Sequence, residues 1–360
     1  MALLSLQPAE QATLHSLPPT LDLEALRPHL VNLSNGQFSD DGALVTSAED
    51  VDAIFAEHLP RYMDQHQGPL RLLFWAHGGL VSEARGIIGA ARMLPHWLEH
   101  GIYPLFFIWE TGLLDALCSL LPRSGARELQ EQQQARARNL VEDLWAAGVE
   151  RAVRPLGQKV WAQMKVGADQ AVAVDGGAAY VAQRLAEFTA RNPGAVQVHA
   201  AGHSAGAIFH SRFLPLYLQH GSGTGVSSLN LLAAALSIAD FNRLLRPLVG
   251  TPQGIEHLHL FGLHRQLEEE DSVLWLYPRS LLCLISAALE PERGIGLLGL
   301  ERSVAADADL AGFLGAPAAD ATWSKTEVGA PGRRCLASAH GTFDEDPATL
   351  NSVVYRVASG

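Results

Sequence analysis

The sequence predicts an α/β fold with a mostly parallel central sheet and helices on both faces. Three observations carry this expectation. Runs that are apolar almost throughout, such as residues 71–76 and 103–109, mark strands buried on both faces. Amphipathic stretches separate them, with one strand–helix–strand repeat about every 30 residues. A third run, residues 196–201, passes through Gly202-His203-Ser204-Ala205-Gly206 into an amphipathic segment at 207–218. That is a strand, a sharp turn and a helix, with a serine at the apex.

Taken in order, residues 1–28 carry Pro8, Pro18, Pro19 and Pro28 and little periodicity, so they read as an arm over the body. Residues 30–33 and 37–38 flank Asn35-Gly36, the dipeptide preferred in a two-residue hairpin turn. Ser47, with Asp50 three residues on, caps a helix expected over 51–59. The buried strand 71–76 ends in His77-Gly78-Gly79-Leu80, a helix follows over 82–100, and the strand 103–109 ends at Trp109-Glu110. The alternation then breaks. Residues 112–175 contain an apolar piece (113–121), a polar helix (127–147) and a further segment at Trp161–Met164, and read as a helical lid inserted between two sheet strands. A helix over 176–191 leads into the strand 196–201. Further strands are expected at 228–235 and 257–263, and a helix at 278–289. Residues 305–332 read as loop, 334–339 as the last strand and 347–357 as the closing helix. The expected organisation is an N-terminal arm, hairpin and helix packed on the core (1–66), a core (67–111 and 176–360) and the inserted lid (112–175).

Composition narrows the function. At 360 residues and 48% hydrophobic content the chain can bury one large core. A formal charge of −12 argues against nucleic acid or an anionic membrane surface as partner. Cys118, Cys283 and Cys335 are widely spaced in apolar surroundings without metal-ligand spacing, which reads as buried thiols in a reducing compartment. No leader pattern and no run of about 18 apolar residues is present, so a cytoplasmic protein without a membrane span is expected. His257 and His259 alternate on a strand with no third ligand at a usable spacing, so neither metal nor cofactor is expected.

The chemistry gathers at the serine. A serine hydroxyl is a poor nucleophile and must be presented where a base can reach it. The turn that presents it is crowded, and glycines two residues before and after relieve the crowding. On Gly202-His203-Ser204-Ala205-Gly206 and its flanking strand and helix, the chain resembles the α/β-hydrolase superfamily, with Ser204 as nucleophile. The segment 271–290 is also similar to poorly characterised bacterial members of that superfamily.

The resemblance implies a chain order of nucleophile, acid and histidine. Of fifteen histidines only His340 follows residue 264, which makes it the base. The resemblance places the acid after the strand 257–263, where Asp271-Ser272-Val273 fits a recurring local form; Asp240, after the preceding strand, is the alternative, and Glu268, Glu269 and Glu270 remain open. An oxyanion needs two preorganised N–H donors. One is expected from Ala205 at the positive end of the following helix. The other is expected from the loop resembling the superfamily's His-Gly oxyanion loop, with Gly79 as donor and Leu80 as alternative. That loop lacks a third consecutive glycine. Trp109 and Glu110 are expected to bind substrate, since they end a strand at the edge where α/β sheets hold ligands. His203 is expected to pack and orient the turn, and His210 to be a core residue.

The resulting expectation is a serine hydrolase, foremost a carboxylic ester hydrolase acting through a Ser-Asp-His triad and an acyl-enzyme on a small-molecule ester. An amidase or peptidase would share the same triad. A non-catalytic binding protein on a hydrolase scaffold is the alternative from another class. The apolar stretch 113–121 leaves a lid face, a homo-oligomer contact and an interfacial anchor open.

Overall fold

Eight strands, β1 (Leu30–Ser34), β2 (Gln37–Phe38), β3 (Leu70–Ala76), β4 (Ile102–Trp109), β5 (Val196–His203), β6 (Val226–Leu232), β7 (Ile255–Leu263) and β8 (Ala319–Ser324), form one sheet. Their order is β2-β1-β4-β3-β5-β6-β7-β8. Among the described residues only β2 runs antiparallel to its neighbouring strand; every other strand pairing is parallel. The computed structural model describes residues 21–79, 81–109, 138–273 and 277–359.

Local sequence accounts for most of these elements. Asn35 and Gly36 both take positive φ, as a tight turn with the twist of a hairpin requires, and set Ser34 opposite Gln37. The Ser47–Asp50 capping box opens helix α1 (Ala48–Ala53), which continues through a π-helical turn (Ile54–His58) to Gln65. Residues of β3 and β4 are buried along almost their whole length, so both sheet faces must be covered. The helices α2 (Glu83–Glu99), α3 (Arg138–Ala171), α4 (Gly177–Arg191), α5 (Gly206–Gln219), α6 (Ile238–Leu244) and α7 (Arg265–Glu270) pack around it with α8 (Leu281–Leu284), α9 (Glu301–Ala306), α10 (Ala308–Phe313) and α11 (Pro347–Ser359).

Three expectations are corrected. The last strand is not 334–339 but β8, which pairs with β7 from Leu258↔Ala319 to Leu263↔Ser324. Its Ala-Asp-Ala-Thr-Trp-Ser sequence is weakly apolar because it is an edge strand, half of its residues buried and half partly exposed. Cys335 instead forms a lone bridge with Thr326, and the expected loop over 305–332 also contains α10. Residues 138–171 are one continuous 34-residue helix despite Pro155, not a helix ending near 147 followed by a separate segment. The stretches 110–137 and 274–276 lie outside the described residues, and with them the apolar piece 113–121, Glu110 and Cys118; Leu80 lies outside as well.

The inner side of α3 is held by ionic and polar bonds to the segment 277–291. Glu290, 2% exposed at its side chain, accepts from Lys165 Nζ at 2.6 and 2.8 Å and from Trp161 Nε1 at 2.9 Å. Tyr277 donates to Glu150 at 2.9 Å, and Arg154 donates to the Pro291 carbonyl at 2.6 Å.

Register aligns the carboxyl ends of the central strands: Ala76 lies beside Gly202, His203 beside Leu232, and Leu232 beside Phe261. The loops leaving these ends carry Gly78-Gly79, Ser204 and the acidic run of α7. Ligands bind at this edge in open α/β sheets.

Candidate active site

Ser204 is the first residue beyond β5 and has φ of +53°, a left-handed conformation that costs a non-glycine residue roughly 1–2 kcal/mol. Backbone bonds on both sides hold it there. Its N–H donates to Leu232 O at 2.8 Å, and its carbonyl accepts from Ala235 at 3.0 Å and Ala207 at 3.1 Å. The flanking glycines are required by space. A Cβ on Gly202 would stand 2.8 Å from the Gly206 carbonyl carbon, and one on Gly206 would collide with the Ala76 carbonyl oxygen. Ala205 caps α5, so Ser204 sits at the helix's positive end with the Ala205 N–H beside it.

His340 opens a short 3-10 turn and brings Nε2 to 2.9 Å from Ser204 Oγ across 136 residues of sequence. It is 6% exposed. Burial, with a smaller contribution from His203, holds its pKa well below the ordinary 6.5, so the imidazole is neutral and its Nε2 can accept the serine proton. Nδ1 then carries the other proton.

Asp271 follows α7 and is the carboxylate that the structure brings to His340. The contact is to the backbone: Oδ2 accepts from the His340 N–H at 2.8 Å, while Oδ1 accepts from the Ser272 N–H at 2.7 Å. Burial raises the Asp271 pKa, and these two N–H bonds oppose the rise. Asp240 is bonded elsewhere, to Arg243 at 2.6 Å, with Arg212 3.9 Å away. Glu269 pairs with Arg265, and Glu270 accepts from Gln266. Glu268 differs from both, being 3% exposed and bonded to the Ser280 hydroxyl. Burial pushes its pKa to about 8; the Ser280 bond opposes this and the Asp271 charge adds to it. The carboxyl is therefore protonated at neutral pH.

The turn after β3 approaches the serine closely. A Cβ on Gly78 would lie 3.2 Å from Ser204 Cβ and 3.4 Å from His203 Nδ1, so a side chain there would press on the site. Gly79 is buried beside it. His77 braces this turn. Its Nδ1–H donates to Gly78 O at 2.8 Å, and its Nε2 accepts from the Trp109 N–H at 3.2 Å. The Trp109 indole donates back to His77 O at 3.2 Å, and its side chain is buried. Burial lowers the His77 pKa to about 4, which keeps it neutral as this bonding requires.

Two roles were not legible from sequence. His203 Nε2–H donates to the His340 carbonyl at 2.9 Å, a bond across 137 residues. The burial of Glu268, within a run of four acidic residues, became visible only with its bond to Ser280. Proximity in sequence offered a signal, since Glu268 lies three residues before Asp271, near the end of α7. His210, as expected, is a core residue, donating to Ala201 O at 2.8 Å.

Among the described residues no group of three or more histidine, cysteine, aspartate or glutamate side chains could hold a metal, and no helix is long and apolar enough to cross a membrane. Cys283 and Cys335 are buried free thiols. Comparison with protein families, curated proteins and solved structures gives no match for this chain.

Proposed function

We propose that the protein is a serine hydrolase of the α/β-hydrolase type, acting on carboxylic esters of small molecules. The observation that carries this reading is the 2.9 Å approach of His340 Nε2 to Ser204 Oγ, with the serine at a positive-φ turn between a strand and a helix. A nucleophile paired with a neutral base at a sharp strand–helix turn is the arrangement acyl transfer needs.

In this reading His340 Nε2 takes the Ser204 proton as Oγ bonds to the ester carbonyl carbon. Negative charge moves to the carbonyl oxygen, where the N–H groups of Ala205 and Gly79 receive it. The carbon–oxygen bond to the alcohol breaks, and the alcohol leaves with the proton held on Nε2. Water then enters, gives a proton to Nε2 and attacks the acyl-enzyme, and the acid leaves as Ser204 regains its proton. The Asp271 carboxylate holds the His340 backbone and favours the imidazolium through its charge. The long helix α3 is assigned to the inserted cap. Its bonds to the 277–291 segment support a cover anchored beside the acid loop.

A fluorophosphonate probe tests the reading. Wild-type protein should be labelled at Ser204 and should hydrolyse a short-chain aryl ester, and Ser204→Ala should abolish both. Folded wild-type protein that takes up no label would refute it.

A further inference from the structure

We propose that His203 is a positioning residue for this reaction, holding the base loop to the strand that delivers the nucleophile; the inference rests on the serine hydrolase reading above. Consecutive residues at the end of β5 grip His340 at two points. His203 Nε2 contacts the His340 carbonyl at 2.9 Å, and Ser204 Oγ contacts the His340 imidazole at 2.9 Å. A carbonyl can only accept, so His203 Nε2 is the donor. The same residue's backbone N–H is held from the other side by Asp271 at 2.8 Å. Both peptide groups of His340 are thereby bonded to side chains from other parts of the fold.

The base loop needs this external hold. Within the loop, Thr342 Oγ1 accepts from the N–H groups of Ser338 and Ala339 and donates to Ala339 O, and Ser324 of β8 donates to the Ala337 carbonyl. A Cβ on Gly341 would meet nothing within 4 Å, so no packing wedges the turn immediately after His340. Beside that open position, hydrogen bonds to rigid strands help to decide where the buried imidazole sits. β5 is such a strand, paired on both sides in the middle of the sheet. The bond also satisfies a carbonyl next to a buried ring; without it that acceptor would be left unpaired away from water. The His203 ring lies 5.2 Å from the His340 ring and 6.2 Å from the Phe343 ring.

The test separates donor position from simple packing. Glutamine places an amide N–H about where the imidazole Nε2 stands, whereas the asparagine amide ends about one bond short. His203→Asn should slow labelling of Ser204 by a fluorophosphonate, and lower kcat on a short-chain aryl ester, by about tenfold or more, because a misplacement near 1 Å costs up to about 100-fold. KM should stay near its wild-type value. His203→Gln should recover most of the wild-type rate, with thermal midpoints of the two variants alike. Equal rates for the two variants would overturn the proposal. If the wild-type protein takes no label at all, the hydrolase reading fails and the positioning bond is judged separately. In that case the His340 ring ¹⁵N resonances should be unchanged in His203→Gln and displaced in His203→Asn, and matching spectra would overturn it.

Discussion

Asp271 bonds the backbone N–H of His340 at 2.8 Å, while Nδ1 of the same residue's ring has no hydrogen-bond partner among the described residues. The carboxylate therefore anchors the loop that carries His340, and in the proposed reaction it would also supply charge to that residue. These roles separate on substitution. Asp271→Asn keeps an oxygen that can accept the His340 N–H and loses the charge; Asp271→Ala loses both. Hydrolysis of an aryl ester by the alanine variant should be slower than that of the asparagine variant by about tenfold or more. Asp240→Asn should stay near wild type, since Asp240 is bonded to arginines. Equal loss in the two Asp271 variants would remove the anchoring role, and a larger loss from Asp240→Asn would move the acid there.

Gly206, two residues after Ser204, makes a stability prediction independent of turnover. Gly206→Ala places a methyl group against the Ala76 carbonyl, a backbone atom of β3 that cannot rotate away. The overpacking should cost about 1–3 kcal/mol in denaturant unfolding. Gly148→Ala, on α3, meets nothing within 4 Å and should be neutral or slightly stabilising. A stable Gly206→Ala protein would contradict the close approach of the turn to β3.

Buried histidines should make the fold acid-sensitive. Burial lowers the pKa of His29, His77 and His210 from 6.5 to about 4, and that of His199 to about 3. Below pH 6.5 the unfolded chain takes up protons that the folded chain refuses, so stability falls as pH drops from 6.5 towards 4. Each group contributes about 1.4 kcal/mol per pH unit within its window. Urea midpoints between pH 7.5 and 4.5 should decline accordingly, and His199→Gln should reduce the slope. A slope unchanged in that variant would show that His199 titrates normally.

Glu268 gives the opposite sign. Its pKa rises from 4.5 to about 8, so the folded chain keeps a proton that the unfolded chain loses, and stability falls as pH rises across that window. Glu268→Gln removes the titration. The stability of this variant relative to wild type should therefore increase from pH 5 to 8. A constant difference over that range would mean that the carboxyl is ionised in the folded protein.

The attachment of α3 can be tested at Lys165. Its ammonium faces Glu290, whose carboxylate is buried. Lys165→Met leaves that charge half-paired and should cost about 3 kcal/mol, the low end for a broken buried pair because Lys165 itself is partly exposed. Adding Glu290→Gln should restore much of the loss. If the single variant is as stable as wild type, the pair does not fasten the helix.

What the sequence determined about this protein is what neighbouring residues decide among themselves. Continuous apolar runs specify buried strands, Asn35-Gly36 specifies the hairpin, and Gly202 and Gly206 permit the crowded turn at Ser204; each requirement is met within a few residues of chain. The tertiary structure decided which carboxylate reaches His340, by which atom, and that His203 holds the loop from the other side. It also turned Glu268 from one acid in a charged run into a protonated core residue, and made a strand of the weakly apolar 319–324. The physical reason is shared by all of these. A hydrogen bond's partner, a carboxyl's burial and an edge strand's pairing depend on segments 12 to 137 residues away, and sequence spacing carries no record of those distances until the sheet is assembled.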